Sequence, residues 1–497
     1  MGVVIRQSIK ATIVNYIGTF IGFLTTMFVV TKYLPPEDFG LLTVIFEIAM
    51  LFSALVQLGV SSSAVRFFPH FKDEKKQHNG FFFYIILLPL IGCLLFIPLY
   101  LLLKDPIIAF LGGKNSELLM PYFYWVIPLI VFIAYWNTFE SYSNVNMRIV
   151  GPRAVREVAV RVFLLLVYVL YGFHVISRDG FIASFVGIYG IAMLIMFFYI
   201  SRIAPVSLKH NNSFISKPLR KDIVNYTLIM LLGNLGVVIL SKLDIFMISS
   251  ELGYESTGIY RIAFYMGILV EIPARSITNI SSPIAAAALQ KGNVEEANQL
   301  YKKVSLNQLI AGGLLFVLIW INIDNIFQII PNGEIYSQGK WVVLFIALSR
   351  LIAMTLSFGG VLINFSKYYY WTIFFTFIIT ILGIACNYWL IPVLGISGAA
   401  VATLTATIFS YIFQQWIVVR KIKGNPYTKG TLKMVLIILL LLAINHFLPD
   451  FNNHWFDTIC RTIIISIVAC LVIYFGKVSY DVNSVVDTVV QKLKRNF

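Results

Sequence analysis

Charge is scarce in this sequence. Asp, Glu, Lys and Arg together make up 12% of its 497 residues, against 59% hydrophobic residues and a mean hydropathy of +0.84. A soluble domain keeps about 25% charged residues because its outside faces water. The deficit excludes an ordinary soluble fold and implies an outside that mostly faces lipid. Cysteine is rare as well. Cys93, Cys386, Cys460 and Cys470 are scattered through apolar runs without metal-ligand spacing and read as small apolar filler. The six histidines fall in loops or near span ends, with no HExxH pair, and no GxxxxGK[ST] stretch is present. Metalloprotease chemistry and ATP hydrolysis within the chain are thereby excluded. Repeated short alternating strands are missing too, which argues against a β-barrel. With no soluble catalytic domain and no metal cluster, transport rather than catalysis is the expected activity.

What the chain has in quantity is apolar runs. Leu87–Leu103 reads LLPLIGCLLFIPLYLLL without a charge, Met434–Asn445 reads MVLIILLLLAIN and Ile463–Phe475 reads IIISIVACLVIYF. Several such runs reach about 20 residues with their flanks, the length of a transmembrane helix. Helices are required because a spanning segment must satisfy its own amides in lipid. The first run, Ile13–Val30, lacks a small-residue cleavage site and is expected to be a permanent span. Breaks of charge, Pro, Gly and Asn divide the chain into about 14 spans: 11–31, 39–64, 80–103, 118–139, 155–175, 180–201, 223–249, 257–278, 301–323, 340–362, 368–388, 395–418, 431–448 and 457–475. The least regular are 155–175, which opens with Arg156, Glu157 and Arg161, and 257–278, which holds Arg261, Glu271 and Arg275.

The loops supply a check on that register. With the N-terminus in the cytoplasm, inside segments carry clusters such as Lys72, Lys75 and Lys76; Lys209, Lys217, Arg220 and Lys221; and Arg420, Lys421 and Lys423. Outside loops hold few basic residues, among them Lys32, Lys104, Arg178 and Lys340, often beside acids. This alternation is the positive-inside pattern, and an even span count leaves both termini cytoplasmic. The formal charge of +15 is accounted for by these loops, so nucleic acid is not an expected partner and membrane lipids are. A polar, basic stretch at 202–222 follows six spans. The expected organisation is an N-lobe at 1–201, a cytoplasmic linker at 202–222, a C-lobe of six spans at 223–418, an accessory pair at 419–476 and a tail at 477–497. Two lobes of equal size suit alternating access. In the tail, Val482, Val485, Val486, Val489, Val490 and Leu493 recur at helical spacing, predicting an amphipathic helix on the inner membrane surface.

The informative residues break the apolar spans. Glu47 lies in the second; Lys242 and Asp244 in the seventh; Arg261, Glu271 and Arg275 in the eighth; Arg350 in the tenth. A charge at the bilayer centre costs on the order of 2.5–3.5 kcal/mol even on the mildest scale, so these groups should face a cavity or one another. Lys242, Arg261, Arg275 and Arg350 form a candidate basic lining that would attract phosphate-bearing anions. Glu271 and Arg275, four apart, can pair along one face. Arg261 has no acid at i±3 or i±4, which makes it the expected unpaired cation. Glu47, Asp244 and Glu271 are candidates for ion coupling or structural pairing. Against these readings stand purely structural ion pairs and long side chains reaching the headgroups.

In their order along the chain, several motifs resemble the polysaccharide biosynthesis or oligosaccharide flippase (Wzx-like) proteins of the MOP superfamily, relatives of MATE exporters and lipid II flippases. They are TKYLPPEDFGLLTVI at 31–45, LGVSSSAVRFF at 58–68, SKLDIFMIS at 241–249, STGIYRIAFYMG at 256–267 and IPVLGISGAAVATLTATI at 391–408. The resemblance implies an all-α, two-lobed bundle with a central cationic cavity in a bacterial inner membrane. It implies flipping of a polyprenyl-diphosphate-linked oligosaccharide from the cytoplasmic to the periplasmic leaflet, for lipopolysaccharide or exopolysaccharide biosynthesis. Na⁺ or H⁺ would be the coupling ion and no other cofactor is called for. A polysaccharide polymerase or glycosyltransferases would be protein partners. A MATE-like exporter of organic cations, which would prefer an acidic cavity, and a lipid II flippase are the alternatives.

Overall fold

A computed structural model describes residues 2–73, 75–112, 116–209, 215–368 and 370–496. Among them there is no strand; the chain is a succession of helices. Ten of these are long and apolar enough to cross a membrane. They are α1 (Lys10–Tyr33), α2 (Pro36–Phe71), α3 (Gln77–Leu102), α4 (Ser116–Val145), α6 (Arg178–Ile203), α9 (Val294–Ile321), α10 (Gly333–Leu356), α11 (Phe374–Leu394), α12 (Ile396–Ile422) and α14 (His454–Phe475). The remaining expected spans are helical but carry charge or are short. Helix α5 covers 150–172 and contains Arg153, Arg156, Glu157 and Arg161. Helix α13 (Lys429–Asn445) has 17 residues. The long helix Lys217–Ile268 breaks at Gly253, whose φ of 85° is one that an L side chain rarely adopts. Residues 217–252 form α7; α8 runs from 254 through a tight turn at Leu269–Glu271 to Gln290. With these four, the fold is an all-α polytopic membrane protein of about 14 helices.

Local chemistry sets the ends. Pro36 occupies the first turn of α2 with Glu37 and Asp38, where a missing N–H costs nothing and acids meet the positive end of the helix. Ser177, Asn293 and Asn453 cap α6, α9 and α14 by accepting from backbone N–H groups, and Thr428 with Thr431 forms a capping box on α13. The tail is helical over Tyr480–Asn496 (α15), where the Val periodicity places it.

Surface and interior are reversed relative to a soluble protein. Leu102, Trp389, Val393 and Phe447 are all at least three-quarters exposed, while Glu47, Gln308 and Asn387 are fully buried. That arrangement is stable only where the surroundings are hydrocarbon.

Packing divides the chain into two compact units, Met1–Gly258 and Ile259–Phe497. The boundary falls after the 202–222 linker, because α7 packs within the first unit. Within that unit, close helix approach depends on missing side chains. A Cβ on Gly40 would lie 1.8 Å from the Tyr254 carbonyl oxygen, and one on Gly258 would lie 2.0 Å from that of Pro36. In the second unit an apolar core that includes Val270, Phe316, Met354, Met434, Leu441 and Ile465 joins α9, α10, α13 and α14. The Gly-rich start of α12 packs on α11, with Gly398 against the Leu390 carbonyl.

Candidate functional site

The charges that interrupt the spans are resolved mainly by partners on other helices. Glu47, on α2, is wholly buried, and its Oε2 lies 2.5 Å from Nζ of Lys242 on α7, which is 17% exposed. Both residues belong to the first compact unit. Helical spacing prevents Lys242 and Asp244 from sharing a face, and Lys242 accordingly turns to α2. Asp244 is half-buried and has a partner of its own.

The other cations fall in the second unit. Arg350, on α10, places Nη1 3.5 Å from Glu271 Oε2. Its guanidinium also lies 5.6 Å from the centre of the Phe264 ring on α8, a cation–π contact suited to a planar cation. Its Nε is buried, with no hydrogen-bond acceptor among the described residues. Glu271 therefore pairs across helices with Arg350. The Arg275 side chain, its expected partner along α8, lies outside the described residues. Arg261 is half-buried and makes an interaction of its own.

Two further polar groupings accompany these residues. In the first unit, α1 and α5 each contain a wide turn, at Thr25–Val30 and Val155–Ala159. Such turns are rare and recur at functional sites. Arg161 pairs with Glu157 at 2.7 Å and donates to the Gly18 carbonyl on α1. Arg156 reaches Glu140 at 3.4 Å. The sequence marked Arg156, Glu157 and Arg161 only as an irregular span start; two π turns leave no signature in residue spacing. In the second unit, Gln308 on α9 donates to Thr278 at 3.0 Å and Gln414 on α12 donates to the Leu356 carbonyl at 3.1 Å. These uncharged groups were also missed, since Gln and Thr are common in spans for packing reasons.

Arg461 on α14 provides a contrast. It is held by Asp457 at 2.7 Å, by Asn445 at 2.7 Å, and by Asp450 and the Pro449 carbonyl. Every face of its guanidinium is satisfied within one helical hairpin, which makes it a pin between α13 and α14. Arg350, with one buried N–H unused and Glu271 only at the edge of reach, retains capacity for another acceptor.

Comparison with known structures identifies the class of fold. The chain is similar to the lipid II flippase MurJ in an inward closed conformation, with a TM-score of 0.75 and 15% identity over 95% of this chain and all of that one. It is also similar to a multidrug resistance MATE family transporter of the MOP superfamily in an inward-facing conformation. There the TM-score is 0.62 with 15% identity, covering 82% of this chain and 95% of the other. The fold is thus that of MOP superfamily flippases and exporters, as the motifs implied. A relative described as the uncharacterized membrane protein MJ1068 of Methanocaldococcus jannaschii is 24% identical over 340 residues, 66% of this chain and 62% of the relative's own length. The family model described as polysaccharide biosynthesis protein matches residues 4–279, and the chain belongs to that family.

Proposed function

We propose that this membrane transporter flips a polyprenyl-diphosphate-linked oligosaccharide from the cytoplasmic to the periplasmic leaflet of a bacterial inner membrane, with both termini cytoplasmic. The observation that carries this reading is Arg350, an arginine within a membrane helix that lies over an aromatic ring, pairs with Glu271 at 3.5 Å and keeps one buried N–H without an acceptor among the described residues. A sugar diphosphate cannot enter hydrocarbon unaided, because desolvating its charges is prohibitive. An arginine at membrane depth offers that headgroup planar, charge-assisted hydrogen bonds, while the prenyl tail stays in lipid. Family membership supports a glycan substrate, and the division of the chain into two compact units of similar size supports alternating access.

In this reading Lys242 is the headgroup-binding cation of the first unit, and Arg261, Arg275 and Arg350 are those of the second. Coupling to H⁺ or Na⁺ passes through Glu47 or Asp244. A proton on Glu47 would release Lys242 from its pair; a headgroup phosphate reaching Lys242 would do the same from the other side. Polysaccharide polymerase and glycosyltransferases are the protein partners the pathway would supply.

Proteoliposomes separate this reading from its alternatives. The protein should move a fluorescent polyprenyl-diphosphate oligosaccharide across the bilayer and leave organic cations where they are. Transport of an organic cation without movement of the glycolipid would favour a MATE-like exporter. A lipid II flippase, as MurJ is named, is the other alternative on this fold. It predicts a strict requirement for the peptidoglycan precursor.

A further inference from the structure

Two cavities in the first compact unit share a wall and differ in character. One, of about 720 Å³, lies among the second half of α2, the start of α3 and the start of α7. Its lining is almost wholly apolar, with Phe67, Phe71, Phe81 and Leu88 among its walls and Arg220 as the one charged residue among the described ones. The other, of about 300 Å³, is lined by Lys217, Arg220, Lys221, Val224 and Asn225. Arg220 and Val224 belong to both, so an apolar groove opens beside three exposed cations on the first turns of α7. Among the described residues no acid lines either cavity. A fourth cation, Arg66 on α2, is held 4.3 Å over the Tyr226 ring at the same end of α7. The dipole of α7 adds positive potential at that end of the helix.

We propose that this composite site binds an anionic diacyl phospholipid, its phosphate on Lys217, Arg220 and Lys221 and an acyl chain in the apolar groove. The two parts need each other. Exposed cations alone hold a free phosphate weakly, because water screens them. An apolar groove alone does not tell one lipid from another. Together they select an amphiphile with a negative head, and basic pockets between membrane helices are where such heads settle. The groove has the size of a small-ligand pocket, enough for acyl chains of ordinary length and too small for a long polyprenyl tail. Glu47, Lys242 and Arg350 are not among its lining residues, and the inference stands apart from the glycolipid reading.

Thermal unfolding of the purified, delipidated full-length protein in nonionic detergent tests it, with native mass spectrometry counting retained lipid. Phosphatidylglycerol should raise the unfolding temperature saturably and remain bound, whereas phosphatidylcholine and inorganic phosphate should do neither. Arg220→Gln, at an exposed position, should leave the unliganded unfolding temperature unchanged and raise the half-saturating phosphatidylglycerol concentration about fivefold. Combined K217Q, R220Q and K221Q should abolish the response. An equal response to phosphatidylcholine, stabilisation by phosphate alone, or an undiminished phosphatidylglycerol response in R220Q would overturn the proposal. So would wild-type protein that retains no phosphatidylglycerol at saturation.

Discussion

The Glu47 carboxylate and the Lys242 ammonium, 195 residues apart in sequence, meet at 2.5 Å between α2 and α7, with the carboxylate entirely shielded. Each charge makes the other tolerable in its low-dielectric setting. Removing one partner strands the other, at about 3–5 kcal/mol, whereas replacing both with apolar groups is often close to neutral. Lys242→Met and Glu47→Leu should therefore each lower the unfolding temperature of the purified protein sharply, and the double variant should recover most of the loss. A double-mutant cycle with no coupling would place the pair outside the stabilising framework.

Helix contact at the start of α2 yields a second prediction. Gly40→Ala puts a methyl group 1.8 Å from the Tyr254 carbonyl, backbone against backbone, with no flexible side chain to yield. The expected cost is about 1–3 kcal/mol, read as a lower unfolding temperature and a lower yield of monodisperse protein. Gly187→Ala, with nothing within 4 Å of the new methyl group, should behave as wild type.

The legible part of the fold was the part that lipid dictates. Apolar runs and basic loops marked the helices, including weak ones such as α5, because hydrocarbon forbids the alternatives. The Val periodicity likewise announced α15. What could not be read were partners from distant segments. Glu271 has Arg275 one helical turn away in sequence, yet its visible ion pair is with Arg350, 79 residues on. Glu47 had no candidate partner until α7 was placed beside α2. The break at Gly253 was expected as a loop between 249 and 257; a single glycine in an unusual conformation serves instead.

Docking of the tail should depend on pH. Burial would raise the Asp481 carboxyl, but hydrogen bonds from Lys303 at 2.8 Å and Asn307 at 3.0 Å, with the Lys303 charge, hold it below the ordinary carboxylate value. A carboxyl depressed in the folded state contributes stability above its unfolded pKa, and that contribution is lost as pH falls through the depressed value. Hydrogen exchange across Tyr480–Asn496 should thus be slow at neutral pH and quicken, after correction for intrinsic rates, below the usual carboxylate range. Asp481→Asn should remove the Lys303 ion pair and most of that pH dependence. Identical profiles in the two proteins would show that other contacts hold α15.

On the proposed function, Arg350 bears most directly on transport. Translocation of a polyprenyl-diphosphate oligosaccharide should be followed in proteoliposomes containing wild type, Arg350→Gln or Arg350→Lys, each checked for monodispersity and unfolding temperature. A phosphate contact worth roughly 1.5–3 kcal/mol implies a rate at least about tenfold lower in Arg350→Gln, with Arg350→Lys in between because it keeps charge without the planar fork. A well-folded Arg350→Gln that moves the glycolipid at the wild-type rate would contradict a cationic headgroup path through this membrane bundle.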